Sequence, residues 1–184
     1  MEKKPQAKEA AQKPQARAAT NTQAGKADGG SIIVVRIRGM RTTPRKIEHT
    51  MLLMNLSRKY HCAILPNDAI SRGMIGHAKD FVTWGKASAT AVDLLFAKRG
   101  RTAEGLAVTD DYLKKSNSGF SSVRELSAAV LAGTTRLSHV KAVKAIFRLT
   151  PPRKGSGSIK AIFPNGALGA RGEKDMDALI ASMV

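Results

Sequence analysis

Cysteine, aromatic residues and long apolar runs are all scarce in this chain of 184 residues. The single cysteine, Cys62, excludes a disulfide framework and a cysteine-rich zinc site. No run approaches the roughly 20 apolar residues that a membrane helix needs, and the basic start lacks the apolar segment of a secretory signal. We therefore expect a cytoplasmic protein without a membrane contact.

Acidic residues are also few, since 14 Asp and Glu stand against 31 Lys and Arg, which gives a net charge of +17. So much positive charge on a small protein predicts a polyanionic partner. Residues 1–30 hold six basic and three acidic residues and no Val, Ile, Leu or aromatic residue, so we expect a disordered basic tail there. Most of the charge therefore belongs to the part that folds.

The patterning after residue 30 predicts the order strand, helix, strand, helix, strand. The segment SIIVVRIRG alternates, with Arg36 and Arg38 on the face opposite Ile33, which predicts a strand with a basic face. Pro44 opens a helix that reaches about Arg58. A second strand, a helix capped by residue 68 and a third strand over 81–84 follow. We assign residues 31–87 to this β-α-β-α-β core.

Residues 88–184 are expected to form a helical and basic-loop extension packed on the core. Helices are predicted from Ser88 to Arg99, from the capping box Ser122-x-x-Glu125 onward, and from residue 173 to the end. A strand is expected over 145–149, and a loop rich in proline and glycine over 151–172. Strands first and helices later, without strict alternation, favour an α+β fold.

No pattern for catalysis is found. The four histidines lack zinc-type spacing, and neither a nucleophile elbow nor a phosphate-binding loop is present. Asp110 and Asp111 are interpreted as the first turn of a helix rather than as a metal pair. Cys62 fits a small buried hydrophobe. We expect no enzyme activity, metal, cofactor or small-molecule substrate.

Positive residues concentrate first between residues 36 and 46. Arg45 and Lys46 fall in the first turn of a predicted helix, where cations oppose the helix dipole unless an anion lies nearby. A bound phosphate reverses that unfavourable interaction. The alternative interpretation is a solvated basic face. The cations of this first cluster are Arg36, Arg38, Arg41, Arg45 and Lys46.

A second concentration covers residues 126–172, where no acidic residue occurs. The proline- and glycine-rich loop within it is interpreted as an extension that binds nucleic acid, and the alternative is plain disorder. Aromatic residues number only eight and are dispersed, whereas readers of single strands stack bases on aromatic rings. This favours recognition of folded RNA through phosphates and shape rather than through bases.

Several segments carry a resemblance to a known family. IIVVRIRG, TPRKIEHTMLLMNLSRKYHCAIL and SRGMIGHAKDFVTWG resemble the ribosomal large-subunit L-thirty family, whose eukaryotic relatives are called L-seven. LAVTDDYLKKS, FRLTPPRKGSGSIK and LGARGEKDMDALIASM resemble its longer archaeal-type branch. The resemblance implies a three-stranded antiparallel sheet in the core, with some similarity to ferredoxin-like folds, and a C-terminal extension.

The resemblance also implies a function, namely a structural constituent of the large ribosomal subunit in the cytoplasm. The implied partners are large-subunit rRNA, close to 5S rRNA, and neighbouring ribosomal proteins. The alternative is a free-standing RNA chaperone or a chromatin-type nucleic-acid-binding protein. Cations from both concentrations and from the second helix are expected to contact rRNA: Arg36, Arg38, Arg41, Arg45, Lys46, Arg72, Lys79, Arg148, Arg153, Lys154, Lys160 and Arg171.

Overall fold

The computed structural model describes residues 30–39, 41, 43–116, 119–153, 155 and 157–184. The predicted tail, except Gly30, and the predicted contact residue Lys154 lie outside these described residues. Along the chain the elements are β1 (Ser31–Arg36), α1 (Arg45–Leu53), β2 (His61–Pro66), α2 (Ala69–His77), β3 (Val82–Lys86), α3 (Ala89–Arg99), α4 (Asp110–Lys115), α5 (Val123–Leu131), β4 (Phe147–Arg148), β5 (Ser158–Ile162), β6 (Gly166–Arg171) and α6 (Glu173–Met183).

The strands form one sheet in the order β4-β2-β1-β3-β6-β5. Strand β1 pairs antiparallel with β2 and β3, and Val34 lies opposite Ala63 on one side and Trp84 on the other. The predicted three-stranded antiparallel core is therefore confirmed. The sheet has six strands rather than three, because the extension adds β4 beside β2, and β6 and β5 beyond β3.

Both faces of the central strand are covered, so the alternating residues of β1 enter two different cores. Ile33 and Val35 join the larger core, to which α3, α5 and α6 contribute apolar side chains. Val34 joins the smaller core with Met51 of α1 and Ile75 of α2. A mixed α+β fold with helices on both sides of the sheet is the result, and it confirms the predicted fold class.

Helix α1 ends five residues earlier than the sequence pattern predicted. Asn55 adopts the left-handed conformation (φ 64°), its N–H donates to the carbonyl oxygen of Leu52 over 2.9 Å, and the N–H of Leu56 donates to that of Met51 over 2.7 Å. These two bonds are a Schellman motif, which satisfies the last carbonyl groups of a helix. Asparagine tolerates this conformation better than most residues, and that signal was available in the sequence.

The predicted cap at Ser122 is confirmed, because its hydroxyl oxygen accepts from the N–H of Glu125 at the start of α5. Ser88, which was predicted to be the first residue of a helix, caps α3 in the same way by accepting from the N–H of Ala91. Asp68 precedes α2 as predicted but makes no side-chain cap bond. Its carboxylate instead accepts from the guanidinium of Arg136 over 2.7 Å. This ion pair ties the start of α2 to the segment after α5.

The prediction of a loop over 151–172 was wrong, because β5 and β6 lie within it. Strand β6 runs parallel to β3, and the hydroxyl of Thr83 donates to the carbonyl oxygen of Gly169 over 2.9 Å. Gly85 of β3 also lies close to α6, where a Cβ would come within 3.1 Å of the Cβ of Met176. Pairing between segments so distant along the chain leaves no local pattern in a glycine-rich stretch. The strand expected over 145–149 is shorter, Phe147–Arg148.

Candidate nucleic-acid interface

Strands β1, β2, β3 and β4 bring basic residues to one end of the sheet. Because β1 ends where β2 and β3 begin, the residues that follow β1 lie beside those that precede its two neighbours. Arg148 of β4 lies opposite His61, the first residue of β2. We use the name basic sheet end for the cations of this region, Arg38, Arg58, Lys59, Lys79 and Arg148.

His61 lies inside the basic sheet end and reports on its electrostatics. Its side chain is buried, and its Nδ1 accepts from the N–H of Arg58 over 3.3 Å, so the neutral ring carries its proton on Nε2. Burial lowers the pKa of His61, and the positive charges of Arg148, Arg58 and Arg36 lower the pKa further. Three guanidinium groups therefore raise the local potential around this ring.

Arg36 occupies the interior, and the predicted basic face of β1 was wrong at this position. Its side chain has no exposed surface. Nη1 donates to the carbonyl oxygens of Leu56 (2.8 Å) and Ser57 (3.2 Å), and Nε donates to that of Arg38 (2.9 Å). Desolvation lowers the pKa of Arg36, and the charge of Glu48 raises it. Because its guanidinium is enclosed, Arg36 holds the strand end together instead of meeting a phosphate.

Arg38 is held in place at the surface by two contacts. Its guanidinium carbon lies 5.0 Å from the centre of the Phe81 ring, and its Nη1 donates to the carbonyl oxygen of Asp80 over 3.2 Å. The cation is half-buried, so part of its donor set remains accessible. Lys79 is exposed and precedes Asp80, which brings a residue from the end of α2 next to a residue from the end of β1. The sequence predicted both cations separately.

Helices α1 and α2 form a second basic group on one side of the sheet. Their packing is marked by Thr50 and His77, whose Oγ1 and Nδ1 atoms lie 3.1 Å apart. The cations of the two helices and the preceding loop are exposed, and we call them the α1–α2 basic group: Arg41, Arg45, Lys46 and Arg72. The guanidinium Nε of Arg72 also donates to the side chain of Asn67 over 2.8 Å.

The extension places its predicted cations differently from one another. Arg153 and Lys160 are exposed, and Lys160 lies on β5, the edge strand. Arg171 is half-buried, with its guanidinium 4.6 Å from the centre of the Phe163 ring and its Nε donating to the hydroxyl of Thr83 over 3.0 Å. Burial lowers its pKa. Arg171 therefore contributes to the packing of β6 as well as to the surface charge.

Two cations of the basic sheet end were missed by the sequence analysis. The sequence predicts a first helix that reaches about Arg58, but Arg58 and Lys59 belong to the turn before β2 and are exposed. Tyr60 adopts φ 63° in this turn, and its N–H donates to the carbonyl oxygen of Arg36 over 2.7 Å. The signal was the helix-ending Asn55, which moves the following basic residues into a turn.

In the described part of the chain, no helix has the length and apolarity needed to cross a bilayer. Within the same residues, no three His, Cys, Asp or Glu side chains are grouped to hold a metal ion. Burial raises the pKa of Cys62 well above its usual range, so its thiol stays protonated and unreactive.

Comparison with known proteins gives archaeal relatives along most of the chain. A protein of Archaeoglobus fulgidus named large ribosomal subunit protein uL30 is 38% identical over 141 residues, which cover 77% of this chain and 92% of the relative. Proteins of the same name from Desulfurococcus amylolyticus and Nanoarchaeum equitans are 39% and 37% identical, over 82% of this chain and 96% and 97% of the relatives. The chain belongs to the uL30 family. No family model matches it.

Membership of the uL30 family settles the functional class. The protein is a structural component of the large ribosomal subunit, which confirms the predicted ribosomal, cytoplasmic and non-enzymatic role. The alternative of a free-standing chaperone or chromatin-type protein finds no support among these uL30 relatives. The matches cover nearly the full length of the relatives, so the long, archaeal-type form predicted from the C-terminal segments is confirmed as well.

Proposed function

We propose that this uL30-family protein holds folded rRNA in the large subunit through two sets of phosphate contacts. The first set is the basic sheet end, joined by the α1–α2 basic group. The second set consists of Arg153 and Lys160 of the extension, with the accessible part of Arg171 and with Lys154. The observation that carries the proposal is the gathering of exposed Arg58, Lys59 and Arg148 at one end of the sheet, where the charges of Arg148 and Arg58 add to burial in lowering the pKa of His61.

The shape of these surfaces supports phosphate contact over base readout. The cations lie on strand ends, turns and helix starts, which present charge to a backbone that passes over them. In the first turn of α1, Arg45 and Lys46 lie at the positive end of the helix, where a phosphate group would relieve the repulsion. Arg38 is oriented in advance by its contact with the Phe81 ring, which reduces the entropy lost on binding.

We also propose that the protein lies near 5S rRNA, which the family resemblance supports. A position there would bring it into contact with neighbouring ribosomal proteins. We also propose that residues 31–87 and 88–184 fold as one unit, because the larger core contains buried side chains from both segments. Residues 1–30 are proposed to act as a basic tail.

Salt titration of binding to transcribed large-subunit rRNA tests the phosphate contacts. Each neutralised phosphate releases counterions, so the logarithm of the binding constant should fall linearly with the logarithm of salt concentration, by about 0.7 to 0.9 per contact. We expect a slope that corresponds to several contacts. Affinity that barely changes between low and moderate salt would contradict the proposal. Crosslinking within intact subunits, followed by identification of the linked RNA, tests the 5S neighbourhood.

A further inference from the structure

Three chain segments in the extension enclose a surface cavity of about 440 Å³. They are the residue that follows α4, the loop before α5, and the residues around the 3-10 helix Leu137–His139. This volume lies within the range of roughly 300 to 1,000 Å³ that is usual for ligand sites. The side chains that offer a ring or a polar group to this cavity are Ser116, Phe120, Thr135, His139 and Lys141.

The lining combines one aromatic ring with several polar groups. Phe120 is half-buried and packs against the larger core, so its ring is held by the fold. Ser116 and Thr135 contribute hydroxyl groups, and the hydroxyl of Ser116 donates to the carbonyl oxygen of Leu113 over 3.1 Å. His139 and Lys141 are exposed. A flat ring beside donors and acceptors is the chemistry that recognises a nucleobase.

We propose that this cavity receives one unpaired nucleobase of the bound RNA, stacked on the ring of Phe120. The inference rests on the proposed function, because the RNA must already be held by the phosphate contacts. A stacked base would add one base contact to the recognition through phosphates and shape that the scarcity of aromatic residues predicts. A protein that reads mainly phosphates and shape needs only one positioned ring to capture one base that leaves its stack.

Charge near the cavity favours RNA over a neutral ligand. None of the described lining residues is acidic, and Lys115, which precedes Ser116, is exposed. The stretch that supplies Thr135, His139 and Lys141 is part of the acid-free residues 126–172. The nearby carboxylates of Asp110 and Glu125 accept hydrogen bonds from the N–H groups of Val123 and Ser121 at the start of α5. Among the described lining residues the fixed charge is therefore the positive one of Lys141.

The exposure of the polar lining argues for a tethered base rather than a free small molecule. A freely diffusing ligand needs buried, fixed polar anchors to repay its loss of freedom, and His139 and Lys141 are open to solvent. A base that belongs to bound RNA is presented at high effective concentration, so weak stacking is enough to fill the site. The exposed lining therefore fits a base of the bound rRNA better than a free small molecule.

Photochemical crosslinking tests the contact in the assembled particle. Short-wavelength ultraviolet light joins a base directly to a side chain that touches it. Irradiated large subunits should yield peptides that contain Phe120 or His139 with a covalently attached nucleotide. The same peptides from subunits that carry Phe120→Leu should show much less of this product. Peptides of this region without any nucleotide, in subunits whose other peptides are crosslinked, would overturn the proposal.

Binding measurements separate this inference from the proposed function. Phe120→Leu keeps an apolar side chain on the core but removes the ring, and we expect about tenfold weaker binding to transcribed large-subunit rRNA with an unchanged salt slope. Phe120→Tyr keeps the ring and should bind like the wild type. Equal binding by wild type and Phe120→Leu would overturn the base site alone, whereas wild-type binding without salt dependence would contradict the proposed function.

Discussion

The guanidinium Nη1 of Arg36 lies 2.8 Å from the carbonyl oxygen of Leu56 and donates to it. Through this bond and the one to Ser57, the end of the central strand is joined to the turn that leads into β2. The same turn carries the exposed Arg58 and Lys59. The buried Arg36 therefore positions the exposed Arg58 and Lys59. Experiments have to distinguish its structural role from their proposed phosphate contacts.

Arg36→Leu should destabilise the fold without changing the number of phosphate contacts. The variant leaves the buried carbonyl oxygen of Leu56 and the partly buried one of Arg38 without their donor, and we expect the free energy of unfolding to fall by about 2–4 kcal/mol. Urea denaturation measures the loss. The salt slope of rRNA binding should remain that of the wild type. A stable variant with a shallower slope would instead identify Arg36 as a phosphate contact.

Arg58→Ala and Arg148→Ala should each weaken rRNA binding and make the salt slope shallower by up to about 0.7 to 0.9. Both side chains are exposed, so stability should change by less than about 0.5 kcal/mol. Salt titrations of the two variants provide the measurement. Lys98→Ala, at an exposed cation in the last turn of α3, is the matched control and should keep the wild-type slope. A uniform effect of all three variants would mean that only total charge matters.

The titration of His61 should report on its charged neighbours. Nuclear magnetic resonance of the free protein should give a pKa below the ordinary value of 6.5, and Arg148→Ala should raise the pKa towards it. Bound rRNA should also raise it, because phosphates offset the cations. Between the lowered pKa of His61 and pH 6.5, the folded protein binds fewer protons than the unfolded chain. The stability that neutral, buried His61 contributes is therefore complete above pH 6.5, and it is lost as the pH falls through the lowered pKa of His61.

Gly166→Ala should be strongly destabilising, whereas Gly73→Ala should be mildly stabilising. A Cβ at Gly166 would overlap the backbone carbonyl group of Ala161 in β5, which cannot move without breaking the pairing of β5 with β6. We expect a loss of about 2 kcal/mol or more in the free energy of unfolding. Gly73 lies within α2 with open space around the added methyl group, and its replacement should add about 0.5 to 1 kcal/mol. Thermal unfolding of the pair is the measurement.

The start of α5 should show both a capping effect and a pH effect. Ser122→Ala removes the acceptor for the N–H of Glu125 and should cost about 1 kcal/mol. Hydrogen bonds from the backbone N–H and the hydroxyl of Ser121 lower the pKa of Glu125. Its contribution is therefore present above the ordinary value of 4.5 and is lost as the pH falls through the lowered pKa. The stability difference between wild type and Glu125→Gln should vanish in acid; a constant difference would contradict this account.

Local patterns predicted most of the first half of the fold. Alternation identified β1, and the capping box that opens with Ser122 identified the start of α5, because these signals depend on neighbours a few residues away. The helix α1 was predicted too long, since the left-handed Asn55 was not recognised as its end. The consequence reached the candidate interface, where Arg58 and Lys59 were overlooked while the enclosed Arg36 was included.

The sequence by itself determined the class of partner, the α+β fold and the core of alternating strands and helices. Net charge, apolar periodicity and the family segments are properties of the unfolded chain. Each can be identified without knowing the tertiary contacts. Only the tertiary structure decided which cations face solvent and where residues 158–171 pair. The burial of Arg36 and the pairing of β6 with β3 depend on segments far apart in sequence. Contacts between such segments produce no local sequence pattern that could predict them.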